Sequence, residues 1–319
     1  MPRLTAGVDL GGTKIQTVVL SQRKIVGSSR ALTPATGADA VITAIAETIT
    51  TSISAAGASP ADLVAVGIGS PGTIDTRRGT VSNSPNVPGF ESAPVPLGPA
   101  VSKALGGVEV RLDNDVRVAV RGEWKRGAGR PYRDFLGVFV GTGVGGGLVL
   151  EGHLREGRGA AGEIGHTTVK DRGRKCGCGR LGCVEAYAGR ARMEATARRW
   201  HKAGRRTKLF DIMRARHRDR VTSGVIAAAL DRRDAMTVEL IEEAVWALSI
   251  GLANAQNLLD MEAIIIGGGL GDRLGEAFVE RIRLATMPRL HVPERPPQFL
   301  TTELRDLSGA VGAAVLAGG

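Results

Sequence analysis

Two short runs rich in Val and Ile open the chain, Ala6 to Leu10 and Ile15 to Leu20, separated by Gly11-Gly12-Thr13-Lys14. Aliphatic runs interrupted by glycine predict two strands and a glycine-tipped hairpin. Ile42, Ile45, Ile49 and Ile53 then recur at helical spacing up to Gly57, and Leu63 to Gly69 reads as a strand. Gly69-Ser-Pro-Gly72 turns the chain where that strand ends, and Asn83 to Phe90 is too rich in Pro and Asn for either element. Glu109 to Leu112 predicts a short strand, followed by a helix carrying Val116, Val120 and Trp124. Phe135 to Val140 and Gly147 to Leu150 form a second strand pair around Gly141-Thr-Gly-Val-Gly-Gly146. Helical spacing returns from Val238 through Leu259, then come a buried-type strand, Ala263 to Ile266, and a small-residue helix, Ser308 to Ala317. The alternation predicts a layered α/β protein.

Composition narrows this picture. With 319 residues, 43% hydrophobic and 23% charged, the chain has the profile of a globular protein and length for two domains. No apolar run follows the start Met-Pro-Arg-Leu-Thr, and the longest apolar stretch, Phe135 to Leu150, is broken by glycines, so neither a signal peptide nor a membrane span is expected. The net charge of +10 and the basic segment 198–220 raise the question of nucleic acid. No recognition motif or aromatic platform accompanies that charge, and the segment reads as a solvated helical face whose role is not legible.

The glycine hairpins are the first candidate chemistry. Glycine lets backbone N–H groups converge on an anion, so Gly11, Gly12, Thr13 and Lys14 suit phosphate, with Asp9 at the hairpin's foot placed for a hydrated magnesium. The second tip fits G-x-G-x-x-G, yet a dinucleotide fingerprint must open a helix, and here a strand continues. Gly141, Thr142 and Gly143 therefore read as another phosphate turn. Gly267 to Leu270, between a strand and a helix, suits either a purine slot at Gly268 and Gly269 or simply a tight turn. Of Asp113, Asn114 and Asp115, before the Val116 helix, local sequence favours helix capping over catalysis.

All three cysteines fall within Cys176-Gly-Cys178-Gly-Arg-Leu-Gly-Cys183, with His166 ten residues upstream. Three thiolates and an imidazole fill a tetrahedral shell and predict a structural zinc site; reduced cysteines in a glycine-rich loop are the alternative. Cysteines clustered as ligands, with none spread out for disulfides, fit a reducing, cytoplasmic setting.

This stretch, with Glu163-Ile-Gly-His166 before it and Glu185 after it, resembles the E-x-G-H and C-x-C-G-x-x-G-C-x-E motifs of the ROK family of sugar kinases and sugar-responsive repressors. The resemblance extends to Asp9-Leu-Gly-Gly-Thr-Lys14, to Asn114-Asp115 and to the later glycine turns. It implies a two-domain actin-like ATPase (ribonuclease H-like) fold with an inter-domain cleft, divided as 1–115 plus 303–319 and 116–302. It further implies an ATP-dependent hexose 6-kinase, with zinc structural and magnesium accompanying ATP. By the same resemblance Asp115 is the catalytic base, and Asn86, Asn114, Glu163, His166 and Glu185 join it in holding the sugar; Gly72, in a turn at the end of a sheet strand, where α/β proteins place ligand loops, is a further candidate for that site. The Asn86 loop tilts the reading to glucose, with N-acetylmannosamine, fructose and mannose as alternatives, and a homodimer or homotetramer is implied.

Family repressors carry a winged helix-turn-helix ahead of the sugar-binding part, whereas this phosphate hairpin begins within ten residues of Met1, so no DNA-binding domain is expected. Polyphosphate as donor suits the hairpins and the basic charge, but family members that use it generally lack this zinc loop.

Overall fold

The computed structural model describes residues 3–319. In chain order the first unit contains β1 (Leu4–Leu10), β2 (Lys14–Ser21), β3 (Lys24–Leu32), α1 (Ala38–Ala55), β4 (Leu63–Ser70), β5 (Thr73–Asp75), β6 (Thr80–Ser82), α2 (Leu97–Ala104), β7 (Glu109–Asn114) and α3 (Asp115–Arg126). The second contains β8 (Phe135–Val140), β9 (Val144–Leu150), β10 (His153–Arg155), α4 (Glu185–Ala188), α5 (Arg190–Lys202), α6 (Leu209–Ala215), α7 (Ser223–Asp231), α8 (Ala235–Leu259), β11 (Ala263–Gly267), α9 (Gly268–Thr286) and β12 (Gln298–Thr301). The chain then returns to the first unit as α10 (Ser308–Gly318), the division falling after Pro131 and after Thr302.

Each unit is built on one five-stranded sheet, ordered β3-β2-β1-β4-β7 in the first and β10-β9-β8-β11-β12 in the second. In both, three strands run as an antiparallel meander and two more add in parallel to its first strand. This repeated topology is that of the two-domain actin-like, ribonuclease H-like ATPases. It also settles the second glycine string: Val138 pairs with Gly146 and Val140 with Val144, so Gly141-Thr142-Gly143 tips an antiparallel hairpin.

In the first unit, Ile45, Ile49 and Ile53 of α1 are buried with Val8, Leu10 and Val66 in one core. Small residues let α10 lie flush on the sheet's other face. A Cβ at Gly67 would come within 1.8 Å of the Ala313 carbonyl oxygen, and one at Gly312 within 1.6 Å of the Val118 carbonyl oxygen. Helix α3, expected with the second domain, therefore belongs to the first, because it packs along α10. Buried Glu123 fastens the two, accepting hydrogen bonds from the backbone N–H groups of Ala128 (2.9 Å), Glu303 (3.0 Å) and Leu304 (3.0 Å) and from the Ser308 hydroxyl (2.7 Å).

In the second unit, α5 to α9 bury a core with the inner faces of β8 and β11. Asp234 caps α8, accepting from the N–H of Thr237 (2.9 Å) and also from that of Lys208 (2.7 Å). Several arginines of the basic helical region are paired: Arg198 with Glu194, Arg205 with Glu239 and Arg214 with Asp211. Among the described residues no helix is long and apolar enough to cross a membrane.

Candidate active site

The two glycine turns are built alike. At the first, Gly11 N–H donates to the Lys14 carbonyl at 2.9 Å, while the Gly11 and Thr13 carbonyls accept from the hydroxyl and N–H of Thr33. At the second, Gly141 N–H donates to the Gly143 carbonyl (2.9 Å), and the Gly141 and Thr142 carbonyls accept from the N–H groups of Arg190 (3.1 Å) and Ala191 (3.0 Å) at the start of α5. With their carbonyls engaged, the turns present amide N–H groups of Gly12, Thr13, Thr142 and Gly143 as donors, the chemistry of an anion cradle. Gly12 has a second constraint: a Cβ there would meet the Asn86 carbonyl oxygen at 2.2 Å, so the first turn leans on the loop read as sugar-binding.

That loop is anchored. Val87 and Phe90 are fully buried, and Ser84 N–H donates to the Phe90 carbonyl at 2.9 Å, which leaves Asn86 exposed at the tip. Gly72 has φ of 104°, and a Cβ there would press on the Ser82 carbonyl oxygen at 2.6 Å, so the turn itself requires glycine.

The Asp113-Asn114-Asp115 triplet divides its labour. Asp113 is buried and paired with Arg117 at 2.6 Å and Arg121 at 3.8 Å. Asn114 is the cap of α3, its Oδ1 accepting from the N–H groups of Val116 (3.0 Å) and Arg117 (3.2 Å), which leaves its Nδ2 as a donor. Asp115 occupies the first helical position, where the dipole favours its charge. Asp9 lies within electrostatic reach of Asp115 and against Gly309 of α10. Part of its surface reaches solvent, yet burial, reinforced by repulsion from Asp115 and Asp306 and opposed by Lys14, raises its pKa to about 7. Two carboxylates that raise each other's cost of ionisation suit a bound cation.

In the second unit, the Sγ atoms of Cys176, Cys178 and Cys183 and a ring nitrogen of His166 lie within 4.8 Å of one another, a group able to hold a metal ion. Cys178 and Cys183 sulfurs are 3.8 Å apart, and Cys176 Sγ is 3.7 Å from His166 Nδ1. Tetrahedral zinc, with bonds of about 2.3 Å to sulfur and 2.0 Å to nitrogen, sets these edges at about 3.8 and 3.5 Å. Nδ1 thus faces the metal position, and Nε2 remains for another partner. Without a cation the thiols resist joint ionisation: burial pushes Cys176 up to about 12 and also raises Cys183, while the Arg180 backbone N–H brings Cys178 down to about 6.

The residues around the metal group are also placed by packing. Gly165 must be glycine, because a Cβ would come within 1.9 Å of the Val144 carbonyl oxygen. Glu163 precedes the single turn Ile164–His166 and is exposed. Glu185 links two sites: Oε1 is 3.3 Å from Cys176 Sγ, and Oε2 accepts from Val144 N–H at 3.1 Å, just behind the second glycine turn.

The same turn adjoins α9. Gly268 has φ of 82°, and its Cβ would lie 2.8 Å from Val140 N, so only glycine lets this helix start against the end of β8. The N-termini of α5 and α9 and the turn at 141–143 are therefore neighbours. Sequence reasoning missed Arg190, whose guanidinium donates to Thr142 Oγ1 (2.7 Å) and the Val221 carbonyl (2.6 Å). Its only signal is its place at the start of a helix, five residues past Glu185.

The sequence matches the ROK family over residues 5–319. It is 34% identical over 320 residues to a glucokinase of Streptomyces coelicolor, covering 98% of this chain and 97% of that protein. An N-acetylmannosamine kinase of Pasteurella multocida is 31% identical over 288 residues, 89% of this chain and 87% of that protein. Among solved structures, a ROK family glucokinase from Streptomyces griseus, in complex with glucose and AMPPNP, superposes with a TM-score of 0.81 at 32% identity, over 99% of each chain.

Proposed function

Since this chain belongs to the ROK family, we propose that it is a sugar kinase that transfers the terminal phosphoryl group of ATP to the 6-hydroxyl of glucose. The observation that carries the reading is the division of labour at the head of α3, where Asn114 takes the capping role and Asp115 holds a carboxylate at the helix N-terminus. Asp115 accepts the proton of the sugar hydroxyl as its oxygen attacks the γ-phosphorus and ADP departs. Asn114 Nδ2 and Asn86 are donors to sugar hydroxyls in the first unit. In the second, Glu163 and Glu185 accept from hydroxyls, and His166 presents Nε2 in a tautomer fixed by its other nitrogen.

For the donor, the amides of Gly12, Thr13, Thr142 and Gly143 hold phosphate oxygens, Lys14 adds a positive charge, and Gly268 and Gly269 allow the purine a close approach to backbone. Asp9 would hold the magnesium that accompanies ATP, which would supply charge neutralisation at the phosphates. His166, Cys176, Cys178 and Cys183 would hold a zinc ion, which has all four positions filled and supplies rigidity to the loop.

Glucose is favoured over N-acetylmannosamine by the glucokinases among the similar proteins. Turnover of ATP by the purified protein, coupled to ADP detection across a panel of hexoses and N-acetylhexosamines, tests the assignment. Glucose should give the highest kcat/KM, and a higher value for N-acetylmannosamine would replace it. Asp115→Asn should lower kcat by about 10²-fold or more while the sugar's Kd changes less than about tenfold. Near-normal turnover of that variant would remove the base from the scheme.

A further inference from the structure

Helix α3 carries Asp115 at one end and borders a concavity at the other, roughly 16 Å away along its axis. The concavity has a volume of about 500 Å³, the size of small-ligand sites. Its floor is apolar, formed by Leu20, Leu304 and Val311 beside the small cluster that α10 makes with β2. Its walls are basic: Arg23 comes from the turn between β2 and β3, Lys125 and Arg126 from the last turn of α3, and Arg130 from just beyond it. Ile25 of β3 and Trp124 complete the lining, with Lys125 Nζ 3.2 Å from the Trp124 ring centroid.

These charges are not absorbed locally. Among the described residues, Arg23, Lys125 and Arg126 enter none of the ion pairs, and Arg130 reaches Glu303 only at 3.8 Å with both side chains more than half exposed. Arg126 Nε is buried without a hydrogen-bond partner, and its Nη1 donates at 3.0 Å to the carbonyl of Lys125. A buried guanidinium nitrogen left unpaired is costly, and a charged acceptor offsets that cost best. Burial, then repulsion by Arg121 and Arg126, lowers the Lys125 pKa, in keeping with cations crowded without counter-charge. The C-terminal dipole of α3 supplies only about half a negative charge, too little to balance four cations.

We propose that this pocket is a second anion site, which takes a small phosphorylated molecule, either a free oligophosphate or a phosphate ester. The guanidiniums of Arg126 and Arg23 offer paired N–H donors to phosphate oxygens, and the apolar floor with Trp124 receives the uncharged part of an ester. The site lies within the first unit, apart from the glycine turns, and stands whether or not the chain is a kinase.

The test is a titration of the full-length protein, in magnesium-free buffer at fixed ionic strength, followed by tryptophan fluorescence. Sodium tripolyphosphate, glucose 6-phosphate and AMP are separate probes, with sulfate as the charge control. The expected result is a saturable change with at least one phosphate probe, abolished by Trp124→Phe, with Kd raised about tenfold in Arg126→Met and in Arg23→Ser. A preference for tripolyphosphate would identify free oligophosphate as the ligand, and a preference for either ester the other source. Arg23 is exposed on a turn, so its variant reports even if Arg126→Met melts early, and KM for ATP should be unchanged in both. The proposal is overturned if no phosphate probe saturates, if sulfate matches them all, or if both arginine variants bind as the wild type does.

Discussion

Asp9 is predicted to make the protein less stable as pH rises from the acid range to neutrality, and Asp9→Asn should remove that effect. Its pKa rises from the ordinary 3.8 to about 7 in the folded protein. Because the folded value is the higher one, the stabilising contribution is fully present below 3.8, falls as pH rises toward 7, and is gone above it. At about 1.4 kcal/mol per pKa unit, the ionised carboxylate costs the fold at most about 4 kcal/mol, and its partial exposure reduces that. Between pH 5 and 8 the wild type should lose about 2 kcal/mol that Asp9→Asn keeps, since the amide has the same shape and no charge. Urea midpoints measured across that range, without magnesium or nucleotide, give the difference directly. Adding magnesium with ATP should flatten the wild-type curve, because a bound cation compensates the carboxylate, and should leave the pH dependence of the variant unchanged whatever stability bound nucleotide adds. Parallel pH profiles for the two proteins would refute the reasoning.

Three other outcomes follow from the site. Cys178→Ser should lose a metal that elemental analysis finds at about one zinc per wild-type chain, and should melt earlier, because metal binding to the native state is folding free energy; full zinc content in the variant would exclude Cys178 as a ligand. Glu185→Gln retains an acceptor for Val144 N–H and should weaken sugar binding with zinc intact, whereas Glu185→Ala strands that N–H and should raise KM for ATP as well; identical KM values for ATP would separate the second glycine turn from this residue. Gly12→Ala should impair both substrates, since its Cβ would displace the Asn86 backbone, and a defect confined to ATP would show that the loop yields.

Much of this was legible because the chemistry is local in sequence. The hairpins at 11–14 and 141–143, the strand Ala263–Gly267 and the cysteine loop declare themselves through glycine, β-branched runs and ligand spacing. Strand β3 was missed because only Gly27 is fully buried along it, so no alternation marks an edge strand held by pairing with β2. The short strand β12 has only Phe299 and Leu300 to mark it, and the arginine-rich helical region was read without the separate bounds of α5 to α7, whose positions come from a core assembled over long separations. The role of Asn114 was ambiguous for a different reason. Three adjacent polar residues compete for one cap, and the backbone sets the outcome: Asn114 Oδ1 takes the N–H groups of Val116 and Arg117, and Asp115 Oδ1 shares that of Val116 at 3.0 Å. Arg190 and Glu185 reach the second glycine turn across 48 and 41 residues of chain, distances over which local pattern carries no signal.

Helix α10 has a consequence for how the protein is made. The face of β1 and β4 that it covers, and the groove along α3 that receives Gly312, are complete in sequence long before α10 exists. During synthesis the second unit can finish folding from contiguous chain, while the first waits, with an apolar sheet face exposed, until α10 has been made. Ribosome stalling or truncation just before Ser308 should therefore yield a half-folded product in which Tyr132–Thr302 resists protease and the N-terminal segment is digested. The order of maturation would run against the order of translation.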